Sequence, residues 1–235
     1  MVNDLKRLPS ISVFFPCYNE SANVERVIED ALEHLPGLAD DFEVLIIDDG
    51  STDGTSRVVE SIVGSHEQVR LISHAKNLGY GRALRTGFQA AIKDLVCYVD
   101  GDGQFSLADL SLLLAELPGH GFVLGYRRNR ADPIYRRLNG WLWTGIVRFV
   151  LGVKVRDVDC GFKLFRREAV HVDRLISGRG AAISAELISR AHRSGHQFTE
   201  VGVTHYPRRS GEQSGNSPTV ILRSVIDIIR LWRGL

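Results

Sequence analysis

The run CYVDGDGQFS, residues 97–106, places Asp100 and Asp102 one residue apart where an apolar stretch ends. Two carboxylates this close repel unless a positive charge lies beside them. A divalent cation meets that need, because magnesium and manganese take oxygen ligands and bridge carboxylates to substrate phosphates. Gly101 and Gly103 permit a tight turn and the close approach of a phosphate, and Gln104 adds a neutral oxygen. A plain strand-ending turn explains the same residues, since Asp-Gly is a favoured turn dipeptide. On these residues alone both readings stand.

A second acidic stretch, DDGSTDG (48–54), puts Asp49, Ser51, Asp53, Gly54 and Glu60 on the ligand pattern of a calcium loop. The preceding run FEVLII (42–47) is β-rich, whereas that loop requires a helix there. A strand end followed by a helix cap at Ser51 or Asp53 fits better, with the helix starting near Thr55. In FFPCYNES (14–21), Pro16 stiffens a strand exit, and Tyr18 and Asn19 suit a base or a sugar. Glu20 and Ser21 open a helix, so ordinary cap chemistry competes here too. The glycines of NLGYGRALRTG (77–87) lack the third member of a dinucleotide fingerprint.

These residues need a scaffold that gathers strand ends. ISVFF (11–15), FEVLII (42–47), VRLIS (69–73) and LVCYV (95–99) read as buried strands. Helical spacing runs between them at 20–35, with Val24, Val27, Ile28, Ala31 and Leu35 on one face, and again at 55–63 and 81–92. Strand and helix alternating three times predict an α/β fold with a mostly parallel sheet. Ligands of such sheets bind at the strands' carboxyl ends. Further on, FVLGY (122–126) and FTEVGVTHY (198–206) read as strands, and CGFKLFRRE (160–168) as a strand on the sheet edge. Helices are expected over 133–152, 184–195 and 219–233, and a mobile polar loop over 207–218. No linker interrupts the chain, so residues 1–235 are expected to form one domain.

In order and spacing, ISVFFPCYNE, VLIIDDGSTDGT, NLGYGRALRTG, YVDGDGQ and DVDCGFKLFRRE resemble the family 2 glycosyltransferases of GT-A fold. The resemblance covers about residues 10–210 and is nearest to the polyprenyl-phosphate sugar transferases of the dolichyl-phosphate mannosyltransferase type. It implies a nucleotide-sugar half over 10–105, an acceptor half over 106–210, and a Rossmann-like sheet flanked by helices. Asp100, Asp102 and Gln104 then stand at the metal positions, for Mg2+ or Mn2+. Pro16, Tyr18, Glu20, Asp48 and Asp49 match positions that hold the nucleotide of a GDP- or UDP-sugar. Arg208, in HYPRRSGEQS (205–214), matches a basic loop over the diphosphate. Arg127 matches an arginine that guides the acceptor phosphate, although Tyr126 stands where that group carries serine. The group's usual Ser-Lys ending is Ser214-Gly215 here.

The chemistry implied is inverting displacement of a nucleoside diphosphate, assisted by the metal as Lewis acid and by Arg208, with Arg209 beside it. A lipid phosphate acceptor is already ionised and needs cationic guidance. A hydroxyl acceptor needs a base, for which Asp157, Asp159 and Glu186 are candidates. A nucleotide-binding module without catalysis is the alternative from another class. His205 is either a further metal ligand or a structural histidine.

A formal charge of +1 over 235 residues gives no bias toward nucleic acid. Locally, YRRNRADPIYRR (126–137) holds five arginines and one aspartate. It reads as a solvated basic face or as an anion site at a membrane surface. The 219–233 segment carries Ile221, Leu222, Val225, Ile226, Ile229 and Trp232 at helical spacing, flanked by Arg223, Arg230 and Arg233. Its apolar face packs on the core or, with the aromatic helix at 139–152, rests on anionic lipid. Three scattered cysteines and an N-terminus without an apolar run predict a cytoplasmic protein with reduced thiols, peripheral at the membrane face.

Overall fold

The computed structural model describes residues 9–128, 134–172, 175, 180, 182–211 and 226–232. Its strands are β1 (Ser10–Cys17), β2 (Asp41–Asp48), β3 (Val69–Ser73), β4 (Leu95–Val99), β5 (Phe122–Arg128), β6 (Phe162–Arg166) and β7 (Phe198–Thr204). The helices are α1 (Val24–His34), α2 (Thr55–Val63), α3 (Tyr80–Ala90), α4 (Leu110–Glu116), α5 (Ile134–Leu151) and α6 (Ala182–Arg193), with a further helix, α7, over 226–232. The strands form one sheet in the order β3-β2-β1-β4-β6-β5-β7.

The expected α/β architecture is present, and its core explains the continuous apolar runs. A sheet covered on both faces needs apolar side chains at every strand position. In β1, Ile11, Val13 and Phe15 turn to the cluster that holds Val27 and Ile28 of α1 and Val59 of α2. Phe14 turns to the opposite cluster, with Phe88 of α3, Val147 and Leu151 of α5, Ile188 of α6, and Ile228 and Leu231 of α7. Rings of Phe14, Phe88, Tyr98, Phe165, Phe122 and Phe198 pack in sequence across that second face.

Two expectations are corrected. The CGFKLFRRE strand is not at an edge: β6 lies inside the sheet, antiparallel to both β4 and β5. Val96 pairs with Phe165 and Val99 with Phe162, and these partners are fully buried on opposite faces. An edge position would leave one flank of this apolar strand without a ladder. In α7, the buried residues are Ile228 and Leu231, whereas Ile226, Ile229 and Trp232 of the apolar stripe are exposed. That exposure corrects the core-packing reading of the stripe and leaves the alternative of a lipid surface. Residues 219–225 and 233 of that expected helix, and 212–218 of the expected polar loop, lie outside the described residues.

The antiparallel setting of β6 decides where chemistry gathers. β1, β2 and β4 run parallel and release Cys17, Asp48 and Asp100 at one end of the sheet. Because β6 runs the other way, its start lies at that same end, and the Asp100 amide donates to Gly161 O at 2.9 Å. The acidic segment before β6 is thereby delivered beside the acidic segment after β4.

Candidate active site

The turn after β4 is held from three directions. Gly103 adopts φ +70, a left-handed conformation that glycine takes without the Cβ penalty. Behind it, Arg26 of α1 donates to Gly103 O at 2.9 Å. The Gln104 backbone amide donates to Asp102 Oδ1 at 3.1 Å, and the Gln104 side-chain amide donates to Tyr206 O at 3.0 Å. A cleft of about 420 Å³ opens between Arg26, Phe105, Tyr206, Arg208 and Arg209.

Asp100 and Asp102 point into different environments. Asp100 accepts from the Tyr80 hydroxyl at 2.9 Å, and its carboxyl is pushed up to about 6 by burial and then by the charge of Asp102. Asp102 lies nearer solvent and receives Arg208 at 3.3 Å. The same guanidinium donates to Glu20 Oε1 at 2.5 Å, so Arg208 spans the acid between β1 and α1 and the second aspartate of the turn. Burial raises the Glu20 carboxyl, against the lowering effect of its Asn23 and Arg208 partners.

Two carboxylates and an amide oxygen within five residues are hard-oxygen donors of the kind Mg2+ and Mn2+ accept, with remaining positions left to phosphate and water. No group of three His, Cys, Asp or Glu able to hold a metal occurs among the described residues. The donor set fits a cation shared with a substrate phosphate. His205 is buried at the end of β7, with its ring edge-on to Phe105 at 5.3 Å.

The other residues singled out in the sequence fall into two groups. Pro16 lies near the end of the β1 ladder, and Tyr18 and Glu20 follow the strand at the same sheet end, with Tyr18 exposed. Asp48 and Asp49 are buried and hold loops: Asp48 accepts from the Ser51 amide at 2.9 Å and from the Ser56 hydroxyl. Asp49 accepts from the amides of Leu78 and Gly79 at 2.9 and 2.7 Å, and contacts His74 at 2.7 Å. This explains the glycine-containing stretch at 77–81: its amides close on a protein carboxylate. Asp53 ties α2 to the β1 exit by accepting from the amides of Thr55 and Ser21, both at 3.0 Å. The N-cap of α2 is Gly54 rather than the expected Ser51 or Asp53, so Asp53 braces the helix start from one residue before the cap, and β2 stands where a calcium loop needs a helix.

On the acceptor side, Arg127 and Asp157 form a bidentate pair, with both N···O distances 2.7 Å. Glu186 is fully buried in α6 and pairs with Arg190 at 2.7 Å. Asp159 accepts from the Trp143 indole of α5 at 3.0 Å. Burial, followed by the charge of Asp157, lifts the Asp159 carboxyl to about 6 from an ordinary 3.8. Tyr80 and Trp143 were missed in the sequence, because each is an ordinary helix residue until the packing of α3 and α5 brings it to Asp100 and Asp159.

The raised Asp159 carboxyl has a measurable consequence. A folded-state value above the unfolded one gives stability that is complete below the unfolded value and lost as pH rises through the folded value. Asp159→Asn is therefore expected to be more stable than the parent at pH 8, by about 2–3 kcal/mol, with most of the gain gone near about pH 4.5. Urea unfolding at the two pH values checks this, and an equal difference at both would contradict it.

The profile of Glycosyl transferase family 2 matches residues 12–172. The chain is 26% identical over 232 residues to dodecaprenyl-phosphate galacturonate synthase of Rhizobium johnstonii, covering 97% of this chain and 68% of that protein. It is 30% identical over 205 residues to undecaprenyl-phosphate 4-deoxy-4-formamido-L-arabinose transferase of Aeromonas hydrophila, covering 86% of this chain and 61% of that protein. Over 240 residues it is 24% identical to undecaprenyl-phosphate mannosyltransferase of Micrococcus luteus, covering 96% of this chain and 97% of that protein. The chain spans 37% of the Haloferax volcanii glycosyltransferase AglD, to which it is 28% identical over 235 residues, or 94% of this chain. In fold it resembles glucosyl-3-phosphoglycerate synthase of Mycobacterium tuberculosis, solved with Mn2+, UDP and phosphoglyceric acid. The TM-score is 0.72 at 22% identity, covering 95% of this chain and 78% of that one. With the GT-A sheet in place and more than half its length matched by the profile, the chain belongs to glycosyl transferase family 2.

Proposed function

We propose that this protein transfers a sugar, with inversion, from a nucleoside diphosphate sugar to a polyprenyl phosphate in a divalent-metal-dependent reaction. The observation that carries the reading is the Arg208 guanidinium bridging Glu20 and Asp102 at the mouth of the parallel strands. A cation and an acid pair set together there suit a diphosphate and its counter-ion. Asp100, Asp102 and Gln104 would hold Mg2+ or Mn2+, which supplies Lewis-acid stabilisation to the departing diphosphate. Arg208 adds a guanidinium to the same phosphate oxygens. Pro16, Tyr18 and Glu20 line the strand exit for the nucleotide, while Asp48 and Asp49 keep the neighbouring loops in place. The Mn2+ and UDP found with the M. tuberculosis enzyme and the lipid phosphates in the relatives' names support this reading.

A phosphate acceptor fits better than a hydroxyl. Asp157 and Glu186, two of the candidate bases, each already carry an arginine. Arg127 stands near the end of β5 with its guanidinium held by Asp157, and an acceptor phosphate there would share that guanidinium with the carboxylate. Access to lipid is suggested by α5, which exposes Ile134, Leu138, Trp141, Leu142, Ile146 and Phe149, with Phe149 91% exposed. The exposed Ile226, Ile229 and Trp232 of α7 add a second apolar face. No described helix is long and apolar enough to cross a membrane. These faces suit contact at the bilayer surface, with exposed Arg137 and Arg148 toward anionic headgroups. The reading places the protein at the cytoplasmic face of a membrane.

A panel of UDP- and GDP-sugars tests the donor. The correct donor with Mn2+ at about a hundred times its Kd is expected to add about 2.7 kcal/mol of stability, read as a rise in Tm of a few degrees. No Mn2+-dependent rise with any donor would remove this reading. For the acceptor, polyprenyl phosphate is expected to be glycosylated and the corresponding polyprenol not. Glu186→Gln should then leave transfer largely intact.

A further inference from the structure

We propose that Asn23 is a positioning residue for Arg208: its side-chain amide closes a ring of hydrogen bonds that holds the guanidinium at Asp102, where the diphosphate would arrive. The inference rests on the sugar-transfer reading above and adds a residue which that reading does not use.

Asn23 is the N-cap of α1, a position where asparagine commonly accepts a hydrogen bond from an amide of the first turn. It makes no such bond here, although it is buried. A buried amide group needs partners, and Asn23 finds them away from its own helix. Its Nδ2 donates to Glu20 Oε2 at 2.7 Å and to Ser210 O at 3.2 Å. A carboxylate and a backbone carbonyl both accept, so the atom facing them is the amide nitrogen and not the amide oxygen. The cap residue therefore joins the β1–α1 connection to the segment that follows β7.

Arg208 engages the same two groups. Its Nε donates to Ser210 O at 2.8 Å and its Nη2 to Glu20 Oε1 at 2.5 Å. Arg208, Glu20, Asn23 and Ser210 thus form a closed ring of four hydrogen bonds. A guanidinium is planar with its donors in a fixed fork, so two acceptors at a set separation fix its plane. Asn23 sets that separation, because its amide bridges the two acceptors. Nη1 is then directed to Asp102 Oδ2 at 3.3 Å. The backbone is shaped for the ring at both ends. At one end, Tyr206 pairs with Gln104 through its amide at 2.8 Å and its carbonyl at 3.0 Å. At the other, Gly211 takes φ +83, and a Cβ there would come within 2.8 Å of Arg208 Nη2.

The test uses the full chain with Asn23→Ser. Serine is a favoured N-cap, so α1 keeps its start, but its hydroxyl is too short to bridge Glu20 and Ser210. Calorimetric binding of UDP and GDP with Mn2+ is compared in the parent, Asn23→Ser, Arg208→Gln and the double variant. Asn23→Ser is expected to weaken nucleotide binding about tenfold in the parent background and to have no further effect beside Arg208→Gln. An equal fall in both backgrounds overturns the proposal, since Asn23 would then act through Glu20 or the helix alone. No fall in the parent background overturns it too. Trypsin gives a second readout that needs no ligand. Release of the ring frees the Arg208 side chain, so cleavage after Arg208 in Asn23→Ser is expected to be at least about fivefold faster relative to the other tryptic sites. Mass spectrometry of the fragments measures it, and a parent-like relative rate overturns the proposal. If Asn23→Ser does not fold, Asn23→Asp takes its place, keeping the shape of the side chain and losing the donor. Should the parent bind neither nucleotide with Mn2+, the sugar-transfer reading fails. The trypsin comparison then decides the proposal by itself: faster cleavage after Arg208 supports it, and an unchanged rate overturns it.

Discussion

Asp102→Ala is expected to abolish sugar transfer, with a loss of at least about 10³-fold, while the protein stays folded. A nucleoside diphosphate leaves only when its developing charge is balanced, and Asp102 is the acid of the pair that receives Arg208. Its loss removes a ligand from the proposed metal set and frees Arg208 from one of its two acids. Stability should change little. The interactions lost include a backbone amide at 3.1 Å and a guanidinium at 3.3 Å, in a partly exposed turn. In return, the charge that pushes Asp100 upward is gone. Radiolabelled transfer to lipid extract and scanning calorimetry on the same sample measure the two effects. Retained transfer in this variant, or full parent activity in excess chelator, would remove the metal from the mechanism.

Gly161→Ala is expected to lower kcat/KM by about 100-fold although it alters no residue of the proposed chemistry. The obstacle to a methyl group is the Asp100 carboxylate rather than backbone. A side chain can swing aside, so the fold survives and the acid moves. Asp100 then loses the Tyr80 hydroxyl at 2.9 Å and its place over β6. The change in stability should stay near about 1 kcal/mol, because a lost hydrogen bond is offset by release of a buried carboxylate. A double-mutant cycle with Asp100→Ala isolates the cause. In the Asp100→Ala background, Gly161→Ala should have almost no further effect on rate. A second, equal loss there would place the damage in the β4–β6 backbone.

Much of the first half was legible because its signals are local. Val24, Val27, Ile28, Ala31 and Leu35 all recur at helical spacing and are all buried. Strands of a sheet covered on both sides must be apolar throughout, which makes β1, β2 and β4 plain in the amino-acid order. The second half was less legible for an equally physical reason. The sequence of β6 is as apolar as a central strand, yet short and flanked by charges, and pattern alone put it at an edge. In α7, leucine and isoleucine occur on more than one side, so periodicity chose a stripe that the fold leaves exposed. Asp49 illustrates a third limit. A carboxylate at a strand end suits a ribose as well as a pair of loop amides, and spacing does not separate them.

The amino-acid order by itself determined the α/β class, the delivery of Asp100 and Asp102 to a strand's carboxyl end, and the resemblance that pointed to sugar transfer. These follow from residue type and short-range period, which act along the chain. Only the tertiary structure decided that Gly161 clears room for the Asp100 carboxylate and that Arg208 reaches Glu20 and Asp102. The approach of Asp100 to Gly161 depends on β6 running antiparallel to β4. The direction of a strand is set by how its two faces pack against distant helices and strands, and no local spacing encodes it.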